Sequence, residues 1–279
     1  KNRADIYDDR CAVFIGALLL TACQTERIVE KTVVVHDTVY VNNFDYDYML
    51  MAVLWYQTSA EMRALCYQAF NTAKISLDQA VAINDGKKKL AVVVDIDETM
   101  VDNSAYEAQN VLGNFGYPER WSEWIDMASA TAIPGAVDFM KYAVSKGVDV
   151  FYVSNRKTAE KEATVKNLRA LGFPMIDDAH LLLRDKSSSK NERRDKVAAT
   201  HEIILLIGDN MNDFSGAYEN VTVAERFGVT DANKSEFGKR FIVLPNPMYG
   251  DWESAVLKYN FKQTNEQKDS ARKANLKGM

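Results

Sequence analysis

Two kinds of apolar pattern alternate along the chain. Leu90–Val94 (LAVVV), Val148–Val153 (VDVFYV), His180–Arg184 (HLLLR), Ile203–Ile207 (IILLI) and Arg240–Leu244 (RFIVL) are short apolar runs. The continuous β-branched runs predict strands buried on both faces, the parallel-sheet kind. Between them lie helical stretches. One runs from Pro134 to about Lys146 and closes at Gly147; another runs from Lys157 to Leu171 and closes at Gly172-Phe173-Pro174; a third covers Asn191 to Thr200. Proline at the first turn and glycine past the last are helix punctuation. Upstream, Asp45 to Ile83 carries apolar residues at helical spacing (Leu54, Ala60, Ala64, Tyr67, Phe70) with Asp85-Gly86 as its stop, which predicts two helices or one bent one. Strands alternating with helices predict an α/β fold with a mostly parallel sheet and right-handed crossovers.

Several stretches break this alternation. Residues 100–131 are rich in Tyr, Trp, Asn and Gly and do not read as a plain crossover. An insertion directly after a strand that carries chemistry is well placed to be a lid. Residues 215–239 read as loop and helix, and the tail from Lys262 lacks an apolar face, which predicts a frayed segment. Glu26 to Asn43 is β-branched and partly alternating, a tether or edge strand, with His36 as a surface histidine.

Composition narrows the class. The 279 residues are 47% apolar and 26% charged with a net charge of −5, and no basic stripe with interleaved aromatics appears. That argues against a nucleic-acid protein. The three cysteines, Cys11, Cys23 and Cys66, have neither metal-ligand spacing nor the density of a disulfide framework. Cys11 to Cys23 (CAVFIGALLLTAC) is too short an apolar run for a transmembrane helix. Its ending, Leu20-Thr21-Ala22-Cys23, resembles a bacterial lipoprotein signal, which implies cleavage before Cys23 and a lipid on its sulfur. Asp5, Asp8 and Asp9 interrupt the basic leader such a signal carries, and a soluble core helix is the alternative. Cys66, on a helical apolar stretch, reads as inert packing.

The chemistry gathers at strand ends. Leu90–Val94 runs into Asp95-Ile96-Asp97-Glu98-Thr99. Ligands of open α/β sheets bind beyond the carboxyl ends of the strands. Two carboxylates one residue apart raise each other's pKa unless a shared proton or a cation such as Mg²⁺ sits between them. Val148–Val153 is followed by Ser154-Asn155-Arg156, a hydroxyl and free backbone N–H groups at a strand-to-helix turn, which suits an anion. Lys186 and Lys190 both precede the helix 191–200. Lysines there oppose the helix dipole and are tolerable when they reach a negative ligand. Ile203–Ile207 ends in Gly208-Asp209-Asn210-Met211-Asn212-Asp213, so Asp209 and Asp213 lie one turn apart and can serve one site. A carboxylate nucleophile with a lysine and Mg²⁺ suits phosphoryl transfer.

These motifs, D-x-D-E-T on a buried strand, S-N-R, a lysine and G-D-N-x-x-D, resemble the haloacid dehalogenase (HAD) phosphatase superfamily. Extended over Val93–Tyr106 and Ile204–Phe214, they are similar to the two signatures of class C bacterial acid phosphatases, with Val101 and Met211 where leucine is usual. With the Cys23 motif, the chain resembles the lipoprotein e type of that family, an outer-membrane lipoprotein of the bacterial envelope. The resemblance implies a HAD-like Rossmannoid parallel sheet with a smaller helical cap. Residues 1–22 would be a signal peptide, 23–44 a tether, 45–260 the phosphatase and 261–279 a polar tail. The core would be about 88–99 and 132–250, and the cap 45–83, 100–131 and the C-terminal segment. Asp95 would be the nucleophile and a Mg²⁺ ligand. Asp97 would be general acid and base and would bind the metal through its carbonyl. Asp209 and Asp213 would complete the metal site. Ser154 and Asn155 would hold the phosphoryl oxygens, with Lys190 (or Lys186) and Arg156. Tyr249 would stack on a substrate base, with Asn246 beside it. Substrates would be nucleoside 5′-monophosphates, nicotinamide mononucleotide and aryl phosphates, and the protein a homodimer. A signalling receiver domain and a ligand-binding surface lipoprotein are the competing readings. The first would lack the second aspartate, and the second would show no metal-dependent hydrolysis.

Overall fold

In the computed structural model, which describes residues 46–279, the strands are β1 (Lys89–Val94), β2 (Val101–Asp102), β3 (Thr131–Ala132), β4 (Asp149–Lys157), β5 (Leu181–Arg184), β6 (His201–Gly208) and β7 (Phe241–Val243). Five of them form one sheet in the order β5-β4-β1-β6-β7, every neighbouring pair parallel. The helices are α1 (Leu50–Thr58), α2 (Ala60–Ile83), α3 (Ser104–Gly113), α4 (Trp121–Met127), α5 (Ala136–Ser145), α6 (Lys161–Leu171), α7 (Asn191–Thr200), α8 (Val223–Ala232), α9 (Asp251–Val256) and α10 (Asn265–Ala274). The expected lipoprotein signal, the expected anchor at Cys23 and the expected tether fall outside the described residues. Among the described residues no helix is long and apolar enough to cross a membrane.

β1 is central because it is apolar on both faces. Side chains alternate across a strand. Leu90, Val92 and Val94 therefore join Phe70, Ala73, Leu77, Phe139, Met140 and Ala143 in one apolar cluster, whereas Ala91 and Val93 join Val197, Phe214 and Phe241 in the other. Val92 and Val94 are essentially inaccessible to solvent. Burying a valine completely contributes roughly 1.5–2 kcal/mol. A strand so covered can expose polar side chains only where it leaves the sheet, at Asp95 and beyond.

The 45–83 stretch is two helices. Ser59 breaks it with extended backbone (φ −81°, ψ 137°), and its hydroxyl caps α2 by accepting from the Met62 N–H at 3.1 Å. α2 presents Phe70, Ala73 and Leu77, three and four residues apart, to the sheet and to α5. It is therefore part of the layer that covers the sheet. α1 packs on α3 instead. Cys66, on α2, is buried, and burial pushes its thiol up to about 12, in keeping with an inert packing role.

Two further features differ from the sequence reading. β2 and β3 close the ends of the insertion into a two-stranded antiparallel ribbon, too short to leave a hydrophobic pattern. The tail is also not structureless. α10 has a capping box, Thr264 with Gln267, and although none of its residues is buried it is held by Arg272. That side chain donates to Glu253 Oε1 at 2.7 Å and lies 3.6 Å from the centre of the Tyr48 ring. A helix fastened by charge and a cap has no apolar stripe to betray it.

Candidate active site

Asp95 extends the β1 ladder by one bond, donating its N–H to the Ile207 carbonyl at 3.0 Å. The chain then folds back at once: the N–H groups of Met100 and Val101 both donate to the Ile96 carbonyl, at 2.8 and 2.9 Å. This tight turn requires Glu98 at φ 56°, a left-handed conformation uncommon outside glycine. Glu98 is held there by its own fully buried side chain, whose Oε1 accepts the Asn103 N–H at 2.8 Å. Burial, reinforced by Asp97 and Asp209, pushes its carboxyl well above the ordinary range. The turn brings Asp97 back over the end of the sheet.

Around Asp95 the charges interlock. The Lys190 ammonium, at the head of α7, donates to Asp95 Oδ1 and to Asp213 Oδ1, the latter at 2.6 Å, with all three side chains buried. Asp95, Asp209 and Asp213 each present a carboxylate oxygen within 4.8 Å of the others. Asp209 is fixed by the Asn246 amide at 2.8 Å and the Thr99 hydroxyl at 3.2 Å. Asp213 arrives on a short 3-10 turn (Met211–Asp213) whose Asn210 N–H it accepts at 3.0 Å. Burial and the neighbouring carboxylates push Asp95 up, against the pull of Lys190, and push Asp209 up to about 7. Burial works against the Lys190 charge, but Asp213 and Asp95 together raise it above the ordinary lysine range. Two carboxylates thus share one ammonium and a third lies beside them, a negative pocket of hard oxygens that fits a divalent cation.

Asp97 has its own set of partners. Arg156, 4% exposed, donates to Asp97 Oδ1 from Nε at 2.9 Å and from Nη2 at 2.8 Å. Asn103 Nδ2 donates to the same oxygen at 2.8 Å, and the buried Ser154 hydroxyl reaches Oδ2 at 3.4 Å. Arg156 therefore orients an acid in this structure, where the sequence suggested a phosphate contact. Asn155 is exposed and its Oδ1 accepts from Arg193 at 2.7 Å. Lys186 is exposed, so the geometry brings Lys190 and not Lys186 to the acids. Tyr249 is half-buried after β7, three residues from Asn246.

Four site residues went unread in the sequence. Asn103 and Trp124 belong to the insertion. Arg193 and Arg194, one turn into α7, are buried. Arg193 donates to the Ser154 carbonyl at 2.5 Å and the Ser189 carbonyl at 3.0 Å, and Arg194 to the carbonyls of Asn212 and Asp213, each at 2.8 Å. One helix thus supplies the lysine and fastens both flanking turns. The only signal was the run Arg193-Arg194 within the stretch 191–200.

Comparison with known proteins agrees with this geometry. The sequence profile of the HAD superfamily, subfamily IIIB (Acid phosphatase) matches residues 15–252. The class C acid phosphatase from Bacillus anthracis is 47% identical and superposes with a TM-score of 0.82, covering 85% of this chain and 99% of that one. The crystal structure of the same enzyme with tungstate bound gives 47% and 0.81, over 84% and 98%. A stem 31 kDa glycoprotein of Glycine max is 24% identical over 164 residues, 56% of this chain. The match spans 58% of that relative's length. A parallel sheet with an acid pair on its central strand and a lysine between further acids defines a phosphoric monoester hydrolase of the HAD superfamily. Within it, the chain belongs to the class C acid phosphatases.

Proposed function

We propose that the protein hydrolyses small phosphomonoesters through an aspartyl-phosphate on Asp95, with Mg²⁺ held by Asp95, Asp209, Asp213 and the backbone carbonyl of Asp97. One observation carries this reading: Lys190 bridges Asp95 and Asp213 while Arg156 and Asn103 hold Asp97 beside them. An Asp95 oxygen attacks phosphorus as the bond to the leaving oxygen breaks, and Asp97 gives that oxygen its proton. Asp97 then takes a proton from water, whose oxygen attacks the same phosphorus. The Asp95–phosphate bond breaks, releasing inorganic phosphate. Ser154 and Lys190 hold the phosphoryl oxygens through both steps. Mg²⁺, when bound, would neutralise charge on those oxygens. The tungstate that the Bacillus anthracis enzyme binds is a tetrahedral oxyanion, which supports a phosphoryl site of this kind.

Nucleoside 5′-monophosphates, nicotinamide mononucleotide and aryl phosphates are the proposed substrates. Tyr249, half-buried beyond β7, would stack on a base or aryl ring. The residues Leu20 to Cys23 support a lipid anchor on Cys23 in the outer membrane, and the family resemblance supports a homodimer. Phosphate release from p-nitrophenyl phosphate and from a panel of these substrates, with and without chelator, tests the chemistry. Asp95→Asn should bind substrate and show no turnover above background. Turnover at the wild-type rate in that variant, or in chelator, would remove Asp95 or the cation from the reaction.

A further inference from the structure

Asp97 is loaded asymmetrically. Its Oδ1 accepts three donors, Nε and Nη2 of Arg156 and Nδ2 of Asn103, at 2.9, 2.8 and 2.8 Å. Its Oδ2 accepts, among the described residues, just the Ser154 hydroxyl at 3.4 Å. An oxygen with three donors has no lone pair for a proton, so the transferable proton belongs on Oδ2. That division depends on which way the Asn103 amide is turned. An amide presents an acceptor on one side and donors on the other. If it were reversed, its oxygen would face Asp97 Oδ1, acceptor against acceptor.

Trp124 decides the orientation. Its indole N–H, which can only donate, meets Asn103 Oδ1 at 2.9 Å. Asn103 Nδ2 is thereby turned toward Asp97, and also toward Glu98 Oε2 at 3.4 Å. Arg156 Nη2 approaches Asn103 Oδ1 too, but at 3.5 Å with its better bond going to Asp97. Trp124 lies on α4, within the insertion between β2 and β3, and α4 packs on α6. Trp121, on the same helix, places its ring 6.0 Å from the Arg156 guanidinium.

We infer that Trp124 is a positioning residue for the reaction: its indole N–H orients the Asn103 amide, which in turn holds Asp97 with Oδ2 toward the leaving group. The insertion is then more than a cover over the site, because the proton donor is in register only while α4 is seated. The role presupposes that Asp97 protonates the leaving group, as proposed above.

The test uses leaving-group dependence. A p-nitrophenolate leaves readily without a proton, and an alkoxide does not. For Trp124→Phe and for Asn103→Ala, kcat/KM should fall by about tenfold or more with an alkyl phosphate such as glycerol 2-phosphate, and by less than about threefold with p-nitrophenyl phosphate, as the loss of part of a general-acid effect requires. A packing role would depress both substrates alike. Asp97→Asn should show the same bias more strongly, and adding Trp124→Phe to it should cost nothing further with the alkyl substrate. Equal losses on both substrates, or an undiminished Trp124 effect in the Asp97→Asn background, would overturn the inference. Absence of any bias in Asp97→Asn itself would overturn the role of Asp97, and this inference with it.

Discussion

Gly208 shows how closely the site is built. It ends β6 directly beneath Asp213, and a Cβ there would lie 2.2 Å from Asp213 Oδ2 and 2.5 Å from Asp213 Cβ. Both contacts are far inside van der Waals range, so the side chain would have to move off Lys190. Displacing a site group by about 1 Å costs on the order of 100-fold in rate. Gly208→Ala should therefore lose at least that much phosphate release and weaken divalent-cation binding in a calorimetric titration, while the fold, read by circular dichroism, stays. Near-wild-type kinetics would mean that Asp213 is not held as tightly as the geometry requires. The strand-end acids Asp95, Asp97, Asp209 and Asp213 were legible because a buried apolar run has one place to put a carboxylate. Asn103, Trp124, Arg193 and Arg194 were not, since each matters through a partner that the fold brings near. Trp124 meets Asn103 across 21 residues, and Arg193 meets Ser154 across 39.

At the scale of elements, α10 is the clearest case of a segment held from outside itself. It has no buried residue, and a ten-residue helix in water is marginal. The Arg272 bond to Glu253 is half-buried, and with the stacking on the exposed Tyr48 it couples α10 to α9 and to the start of the described chain. Arg272→Ala should raise amide exchange over residues 265–274 by about tenfold or more, the equivalent of about 1.4 kcal/mol in local opening, with little change in the melting temperature. Unchanged protection would place the anchor elsewhere. α2 makes the converse point. Its apolar spacing predicted a helix with a buried face, but the identity of the surface it buries came from the sheet order, which puts β6 and β7 under it.

At the scale of the whole molecule, stability should respond to acid through Glu107. This α3 residue is 6% exposed, and burial pushes its carboxyl up to about 7, partly opposed by the Asn110 amide at 3.0 Å. The folded state therefore keeps a proton that the unfolded chain releases near pH 4.5. The associated stability is fully present below that pH and is lost as pH rises through about 7, amounting to about 2 kcal/mol between pH 5 and 7.5. Glu107→Gln carries no such proton. Urea denaturation at the two pH values should show the wild type losing that much more than the variant, and parallel losses would assign the pH response to other groups.

Hydrophobic periodicity, read alone, determined that strands alternate with helices, that β1 is buried on both faces, and that its acids emerge at one edge. These are consequences of local chain geometry and of the cost of burying charge. Tertiary structure decided which lysine meets the acids, that Arg156 serves Asp97, that α2 covers the sheet, and that a tryptophan in the insertion turns an asparagine toward the proton donor. Each of those is a contact between segments far apart in the chain. Such contacts depend on strand order and helix placement, which no local pattern encodes.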